Sequence, residues 1–227
     1  MALYDLILPV YGQSKITIQC LQSIRRHTAD YRIIFIDNGS NDGDWESIYG
    51  ELKRHNHISI RNSGNLGFVK AVNQGLCLLT APFVVILNND TQMAGGWADK
   101  LREALEPPET GAAGPRTTAK NSWQGVAPSW EGTRILARGS MLAFFCVMMK
   151  RHIIEKVGLL DETFGIGLGD DDDYCRRIYN AGYRLAFVGD VIIPHLHRTT
   201  FNALYTPAQI EIMQKRARRI LRRKNEG

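Results

Sequence analysis

The run Phe83-Val84-Val85-Ile86-Leu87, bounded by Pro82 and by Asn88-Asn89-Asp90, narrows the fold more than any other stretch of the chain. Five consecutive bulky or β-branched residues leave no polar face for water, so they predict a strand buried on both sides, as in a parallel sheet covered by helices. Apolar runs and segments of helical period alternate up to it. Leu3 to Val10 reads as a strand, and Ser14 to His27 as a helix capped by Ser14 with Ile16, Cys20, Leu21 and Ile24 on one face. Arg32 to Ile36 is a strand, Asp44 to His55 a helix, Ile58 to Arg61 a strand, and a helix carrying Val69, Val72, Leu76 and Leu79 leads into the central run. This order predicts right-handed crossovers and an α/β domain with a mostly parallel central sheet flanked by helices. With 227 residues and 44% hydrophobic content, the chain can bury a core of that size.

Beyond Asp90 the pattern loosens. A helix from Gly96 to Leu105 ends before Pro107-Pro108, and residues 107 to 137, rich in Gly, Pro, Thr and Ser, read as a long loop over the ligand edge. Ser140 to Met149 is a second apolar run, and Arg151 to Val157 a short helix. Gly165-Ile166-Gly167-Leu168-Gly169 leads into Asp170-Asp171-Asp172-Asp173, which opens a helix ending at Gly182. Leu185 to Val188 and Val191 to Ile193 complete the sheet before Pro194-His195-Leu196-His197. The expected organisation is one domain over 1–200, with halves over 1–91 and 92–200, followed by a basic amphipathic helix over 201–227.

The net charge of +5 sits in that last helix, where Lys215, Arg216, Arg218, Arg219, Arg222, Arg223 and Lys224 crowd around an apolar stripe of Ile210, Met213, Ala217, Ile220 and Leu221. The stripe can dock on the domain, or the helix can lie on an anionic membrane. A nucleic-acid partner is not expected, because no aromatic platform or recognised module accompanies the charge. Cys20, Cys77, Cys146 and Cys175 have no paired spacing and read as reduced, buried thiols. Met1 to Asp5 lacks the regions of a signal peptide and no run of about 18 apolar residues occurs, so a cytoplasmic location is expected, with peripheral contact at the membrane face left open.

Tyr11, Asp37 and Asp90 fall at the carboxyl ends of strands that should be neighbours, where open α/β sheets bind ligands. A ring and two carboxylates there suit a nucleotide: Tyr11 against the base, Asp37 on base or ribose donors, and Asp90 on a cation that carries the diphosphate. Asn88, Asn89 and Asp90 can equally turn the chain and cap the next helix. No GxxxxGK[ST] or GxGxxG loop occurs, which argues against an ATPase or a dinucleotide-dependent dehydrogenase. The four acids of 170–173 favour a helix N-terminus, yet Asp170 and Asp173 share a face while Asp171 and Asp172 point elsewhere, so one carboxylate is free to act as a general base. His195 and His197 alternate on an extended segment; a lone histidine is more often structural, but beside Asp90 on the same sheet edge His195 is expected to ligate a cation, with His197 a weaker candidate, and Arg198 suits phosphate.

Seven motifs fall in one register: Pro9-Val10-Tyr11, Ile36 to Gly43, Asn62 to Gly67, Leu87 to Thr91, Gly158 to Phe164, Asp170 to Arg177, and Gly182-Tyr183-Arg184 through His195. Together they resemble glycosyltransferase family 2 and its rhamnosyltransferase-like branch, whose members have the single-domain glycosyltransferase A fold. The resemblance implies an inverting transfer from a nucleotide-diphospho-sugar of UDP, dTDP or GDP type to a hydroxyl of a glycan or lipid-linked glycan, with Mn²⁺ or Mg²⁺. It implies donor contacts at Pro9, Val10, Tyr11, Asp37, Asn65, Gly67, Asn88, Asn89 and Arg198, and a cation at Asp90 and His195, where the usual DxD reads Asn88-Asn89-Asp90. The family's ED pair falls on Asp170-Asp171, making Asp171 the base. Trp123, Trp130, Gly139 and Asp170 are expected on the acceptor side, although a loop tryptophan is as often a packing anchor. Two rivals are a nucleotidyltransferase that makes the sugar nucleotide, disfavoured because Pro9 to Ser14 lacks clustered glycines and arginine, and a non-catalytic nucleotide or polyanion binder using the basic tail.

Overall fold

Three βα units build the first half of the sheet as the alternation of period requires. In the computed structural model, which describes residues 2–119, 122–126, 131–196 and 204–226, these are β1 (Tyr4–Val10), α1 (Ser14–His27), β2 (Tyr31–Asp37), α2 (Asp42–Leu52), β3 (His57–Arg61) and α3 (Phe68–Leu76), followed by β4 (Phe83–Leu87). The side chains of residues 126, 225 and 226 are outside that description. Every residue of β1 is buried, and so are Val84 to Leu87 of β4, which accounts for their unbroken apolar runs. Strands β3, β2, β1 and β4 pair in parallel.

The second half comprises α4 (Trp97–Ala104), β5 (Thr110–Thr117), α5 (Trp123–Val126), β6 (Thr133–Ile135), β7 (Cys146–Lys150), α6 (Arg151–Val157), a 3-10 turn (Glu162–Phe164), α7 (Asp170–Asn180), β8 (Arg184–Ile193) and α8 (Pro207–Glu226). The eight-stranded sheet runs β3-β2-β1-β4-β7-β5-β8-β6, with β7 antiparallel to both neighbours and β5 parallel to β8. Two apolar layers cover it. Helices α1, α2 and α4 pack one face around Leu21, Ile24, Ile48, Trp97 and Leu101, and α3, α6 and α7 pack the other around Val72, Ile153, Tyr174 and Ile178.

The expected loop over 107–137 is a correction. It contains a strand, β5, in the interior of the sheet. Its sequence, Thr-Gly-Ala-Ala-Gly-Pro-Arg-Thr, has the composition of a loop because space forbids larger side chains. A Cβ on Gly111 would lie 2.9 Å from Ile178 Cγ2 and from Tyr183 Cβ, and one on Gly114 would lie 2.9 Å from Leu142 Cδ2. Pro115, which lacks an N–H, sits beyond the two residues of β5 that pair with β7, and its carbonyl accepts from Gln124 Nε2 at 2.7 Å.

Smaller differences have local causes. Ser14 does not cap α1; its N–H donates to Asp44 Oδ1 at 3.2 Å, so α2 caps its neighbour. The two last strands are one, β8, interrupted by a bulge: Pro115 pairs with Val188 but Arg116 with Ile192. Cys77 is exposed, whereas Cys20, Cys146 and Cys175 are buried thiols as read. Helix α8 docks by its apolar stripe, burying Ile210 and Ala217, and Ala217 joins the core beside α7. No helix among the described residues is long and apolar enough to cross a membrane.

If close packing rather than a turn explains Gly114, Gly114→Val should destabilise the fold by about 1–3 kcal/mol. Urea unfolding of the two proteins measures it, and an unchanged midpoint would show that β5 has room to spare.

Candidate functional site

The cation pair is assembled from both ends of the chain. After β4, the segment Asp90-Thr91-Gln92 pairs with Pro194-His195-Leu196: Leu196 N–H donates to the Asp90 carbonyl and Gln92 N–H to the Pro194 carbonyl, both at 3.1 Å, with an antiparallel bridge between Thr91 and His195. This places His195 Nε2 3.0 Å from Asp90 Oδ1. The imidazole lies flat on Phe145, ring centroids 4.9 Å apart and planes 13° apart, and Asn88 Nδ2 is 3.4 Å from its Nε2. One carboxylate and one imidazole at the edge of a cavity form a donor set that suits a divalent cation completed by ligand or water oxygens. Among the described residues no group of three or more His, Cys, Asp or Glu side chains adds to them, and His197 lies outside those residues. Asn89 is committed elsewhere, its amide donating to Thr17 Oγ1 at 2.8 Å to tie the strand end to α1.

These groups open into a cavity of about 320 Å³ at the carboxyl ends of β1 and β4. Pro9, Val10, Tyr11, Asn65, Gly67, Asn88 and Asn89 line it, as do Asp90, His195, Asp170 and Asp171. Asp37 does not. Its Oδ1 accepts from Ser40 N–H and its Oδ2 from Arg61 Nε, both at 3.0 Å, so the carboxylate braces the turn after β2. The wall position belongs to Asn38, which sequence reasoning passed over. Asn38 donates to Asn65 Oδ1 (2.9 Å) and the Gly67 carbonyl (3.2 Å), and accepts from Leu66 N–H (3.0 Å) and Asn62 Nδ2 (3.1 Å). One amide thus folds the 62–67 segment back over the end of β2. Gly67, at φ 87°, is required there because a Cβ would meet the Gly165 carbonyl oxygen at 2.8 Å.

The opposite wall is the N-terminus of α7 and its approach. Asp170 is buried, and burial pushes its carboxyl up to about 6; backbone N–H groups oppose the shift, and the charges of Asp172 and Asp173 add to it. Asp171 is raised well above the ordinary carboxylate range, first by burial and then by Asp170 and Asp172. Asp173, also buried, is neutralised by Arg177 Nε at 3.0 Å and Arg176 at 3.2 Å, so the four acids do separate jobs. Ile166, Gly167 and Leu168 complete this wall, with Phe144, Phe145 and Tyr205. Phe144 and Phe145 were hidden within an apolar run that reads as strand interior.

Of the residues expected on the acceptor side, Asp170 lines the cavity, whereas Trp123 and Gly139 do not. Trp123 packs on Phe187, centroids 5.4 Å apart, and does not line the cavity; its neighbour Ser122 does. Gly139 is an exposed turn residue at φ 94° away from the lining. Trp130 and Arg198 lie outside the described residues.

Solved structures with this architecture define its class. The fold is that of the glycosyltransferase A type: the Pyrobaculum calidifontis mannosyltransferase PcManGT, solved with GDP-Man and Mn²⁺, matches with a TM-score of 0.69 at 19% identity over 88% of this chain and 59% of that one. Staphylococcus aureus TarS 1-349, solved with UDP-GlcNAc, matches at 0.72 with 12% identity over 91% and 62%. The chain belongs to glycosyl transferase family 2, whose family model matches residues 5–158. Relatives include the pre-mycofactocin glycosyltransferase of Mycobacterium tuberculosis, 24% identical over 210 residues, and glycosyltransferase AglE of Haloferax volcanii, 20% identical over 202. The matches cover 85% and 84% of this chain; it spans 42% of the first relative's length and 66% of the second's.

Because the folded carboxyl of Asp170 is raised to about 6, its contribution to stability is present in full below its unfolded value and is lost as pH rises through about 6. Asp170→Asn should therefore be more stable than the parent at pH 8, by roughly 1–3 kcal/mol, with the gain vanishing near pH 4. Thermal unfolding at the two pH values measures this; an equal gain at both would rule the titration out as its source.

Proposed function

We propose that this chain transfers a sugar from a nucleotide-diphospho-sugar to a hydroxyl of a glycan or lipid-linked glycan, with inversion at the anomeric carbon. The observation that carries the reading is the meeting, in one cavity, of a cation-suited pair, Asp90 and His195, with two high-pKa carboxyls, Asp170 and Asp171. The GDP-Man, UDP-GlcNAc and Mn²⁺ of the structural neighbours support the donor class and the metal. Residues 1–91 then serve the donor and 92–200 the acceptor and the base.

Tyr11, Asn65 and Asn88 offer a ring and amides to the nucleotide, and Asn38 holds the 62–67 segment that presents Asn65. Asp171 acts as the base. It accepts the proton of the acceptor hydroxyl as that oxygen bonds to the anomeric carbon and the bond from that carbon to the diphosphate oxygen breaks on the opposite face. A single displacement of this geometry inverts the centre. A divalent cation held by Asp90 and His195 would, when bound, offset the charge that grows on the departing diphosphate. Phe145 keeps the His195 ring oriented toward Asp90.

Nucleotide release from a panel of UDP-, dTDP- and GDP-sugars, with Mn²⁺ or Mg²⁺, tests the reading; no turnover or thermal stabilisation with any donor would remove it. Asp171→Asn should lower turnover about 100-fold to 10,000-fold while donor affinity holds. With its carboxyl raised, Asp171 loses the base form as pH falls, so kcat should decline on the acid side well above pH ~4. An acid limb at the ordinary carboxylate value, or one unchanged in the Asn variant, would exclude Asp171. Asp90→Ala should abolish the Mn²⁺ dependence of donor binding by calorimetry, and equal affinity with and without Mn²⁺ in the parent would remove the cation from the scheme.

A further inference from the structure

One layer of backbone separates the substrate cavity from α8. Ile166, Gly167 and Leu168 line the cavity, and the same residues wall a second, apolar hollow of about 200 Å³ against Met213, Ala217 and Ile220 of α8. This layer has an unfavourable backbone. Gly165, Gly167, Leu168 and Gly169 have φ of 61°, 107°, 79° and 89°, and Leu168 carries a side chain in the region that glycine favours. Such conformations persist only where the surroundings over-determine them.

Helix α8 supplies those surroundings. At Gly169 a Cβ would sit 3.2 Å from Leu221 Cδ1 and 3.3 Å from Ala217 Cβ, so the helix lies directly on the turn that starts α7. Lys224 then joins the two ends of the segment. Its ammonium pairs with Asp161, just before the 3-10 turn, and with Asp173 Oδ1 at 2.8 Å, inside the first turn of α7, while lying 5.4 Å from the centre of the Phe164 ring. The Asp161 carboxyl is lowered to about 2, with Lys224 the hydrogen-bond donor that favours its charged form over the opposing effect of burial. Exposed ion pairs do little, but Asp173 is 1% exposed, so Lys224, itself 31% exposed, pairs with a carboxylate already withdrawn from water. Arg176 and Arg177 also hold Asp173, so removing the lysine unties the two ends without stranding a bare buried charge.

We propose that Lys224 is a positioning residue for the cavity's acid pair: by bridging Asp161 and Asp173 it closes the 162–172 segment and holds Asp170 and Asp171 at the wall. On this view α8 belongs to the catalytic apparatus and is not an appended tail. The proposal rests on the reading of Asp171 as the base, and the experiment has one arm that does not.

Lys224→Met and Lys224→Arg, each in the whole 227-residue chain, are compared with the parent for nucleotide release from GDP-mannose and UDP-GlcNAc with Mn²⁺, where water serves as acceptor. In Lys224→Met, kcat should fall about 10-fold to 100-fold, the scale of a misplaced reacting group, with donor KM within about twofold. Lys224→Arg should restore most of the loss. Hydrogen exchange of the free proteins forms the second arm: amides of 162–172 should exchange faster in Lys224→Met while those of α1 stay unchanged. An unchanged kcat, a loss confined to KM, or failure of arginine to rescue would overturn the proposal. Should the parent release nucleotide from neither donor, the glycosyltransfer reading fails for those donors; the exchange arm still decides the tie, unaltered protection of 162–172 sinking it and selective loss supporting it.

Discussion

Two main-chain hydrogen bonds, from Leu196 to the Asp90 carbonyl and from Gln92 to the Pro194 carbonyl, hold together the carboxylate and the imidazole on which the cavity's cation pair depends. They stitch the end of β4 to the end of β8, over a hundred residues apart in the chain, and in the sheet order two strands stand between them. Side-chain contacts alone would leave a carboxylate and an imidazole free to drift. Pairing of the backbones fixes both Cα positions, and the Phe145 ring then fixes the plane of His195. A site built on strand ends in this way is stiff before any ligand arrives, the condition under which electrostatic groups act without reorganising.

What could be read from the residues alone follows from which forces act locally. The strands of the first half were legible because burial on both faces demands continuous apolar runs, and Phe83 to Leu87 meets that demand at each position but the first. The place of Asp90 at the cavity was legible because open α/β sheets bind ligands at the carboxyl ends of their strands. Strand β5 was not, since Gly111 and Gly114 look like turn formers and only the positions of Ile178, Tyr183 and Leu142 reveal that they are small for want of space. Asn38 escaped for a related reason: its four hydrogen bonds reach a segment that comes close only after folding. Asp37 was placed at the ligand by its position at a strand end, yet it braces the turn after β2, while Trp123 takes the packing role that a loop tryptophan as often has.

The acids at the start of α7 show a tension between stability and chemistry. A helix N-terminus favours negative charge, yet Asp170, buried, and Asp171, half-buried beside it, have raised carboxyls, so the positive helix end does not fully offset desolvation and mutual repulsion. Asp173 escapes that conflict through three cations, two on α7 and one on α8. The chain keeps two costly carboxylates where the cavity wall needs them and neutralises the one that faces inward. Such local conflict within an otherwise consistent fold is where function is expected to lie.

The bulge in β8 carries a consequence for how this family member can change. Between the pairs Pro115–Val188 and Arg116–Ile192 the last strand advances four residues while its partner advances one, an excess of three. Beyond it exposure alternates: Asp190 and Ile192 face out, Val191 and Ile193 face in, and His195 follows the inward set while Leu196 is 61% exposed. Because a strand has a two-residue period, the odd excess sets which parity reaches the cavity. Loss or gain of a single residue between Gly189 and Val191 would present Pro194 or Leu196 to Asp90 and turn the imidazole to solvent, whereas a change of two would keep the histidine inward and alter only its reach. Length at this point is quantised: drift by pairs can retune the site, and drift by ones erases it.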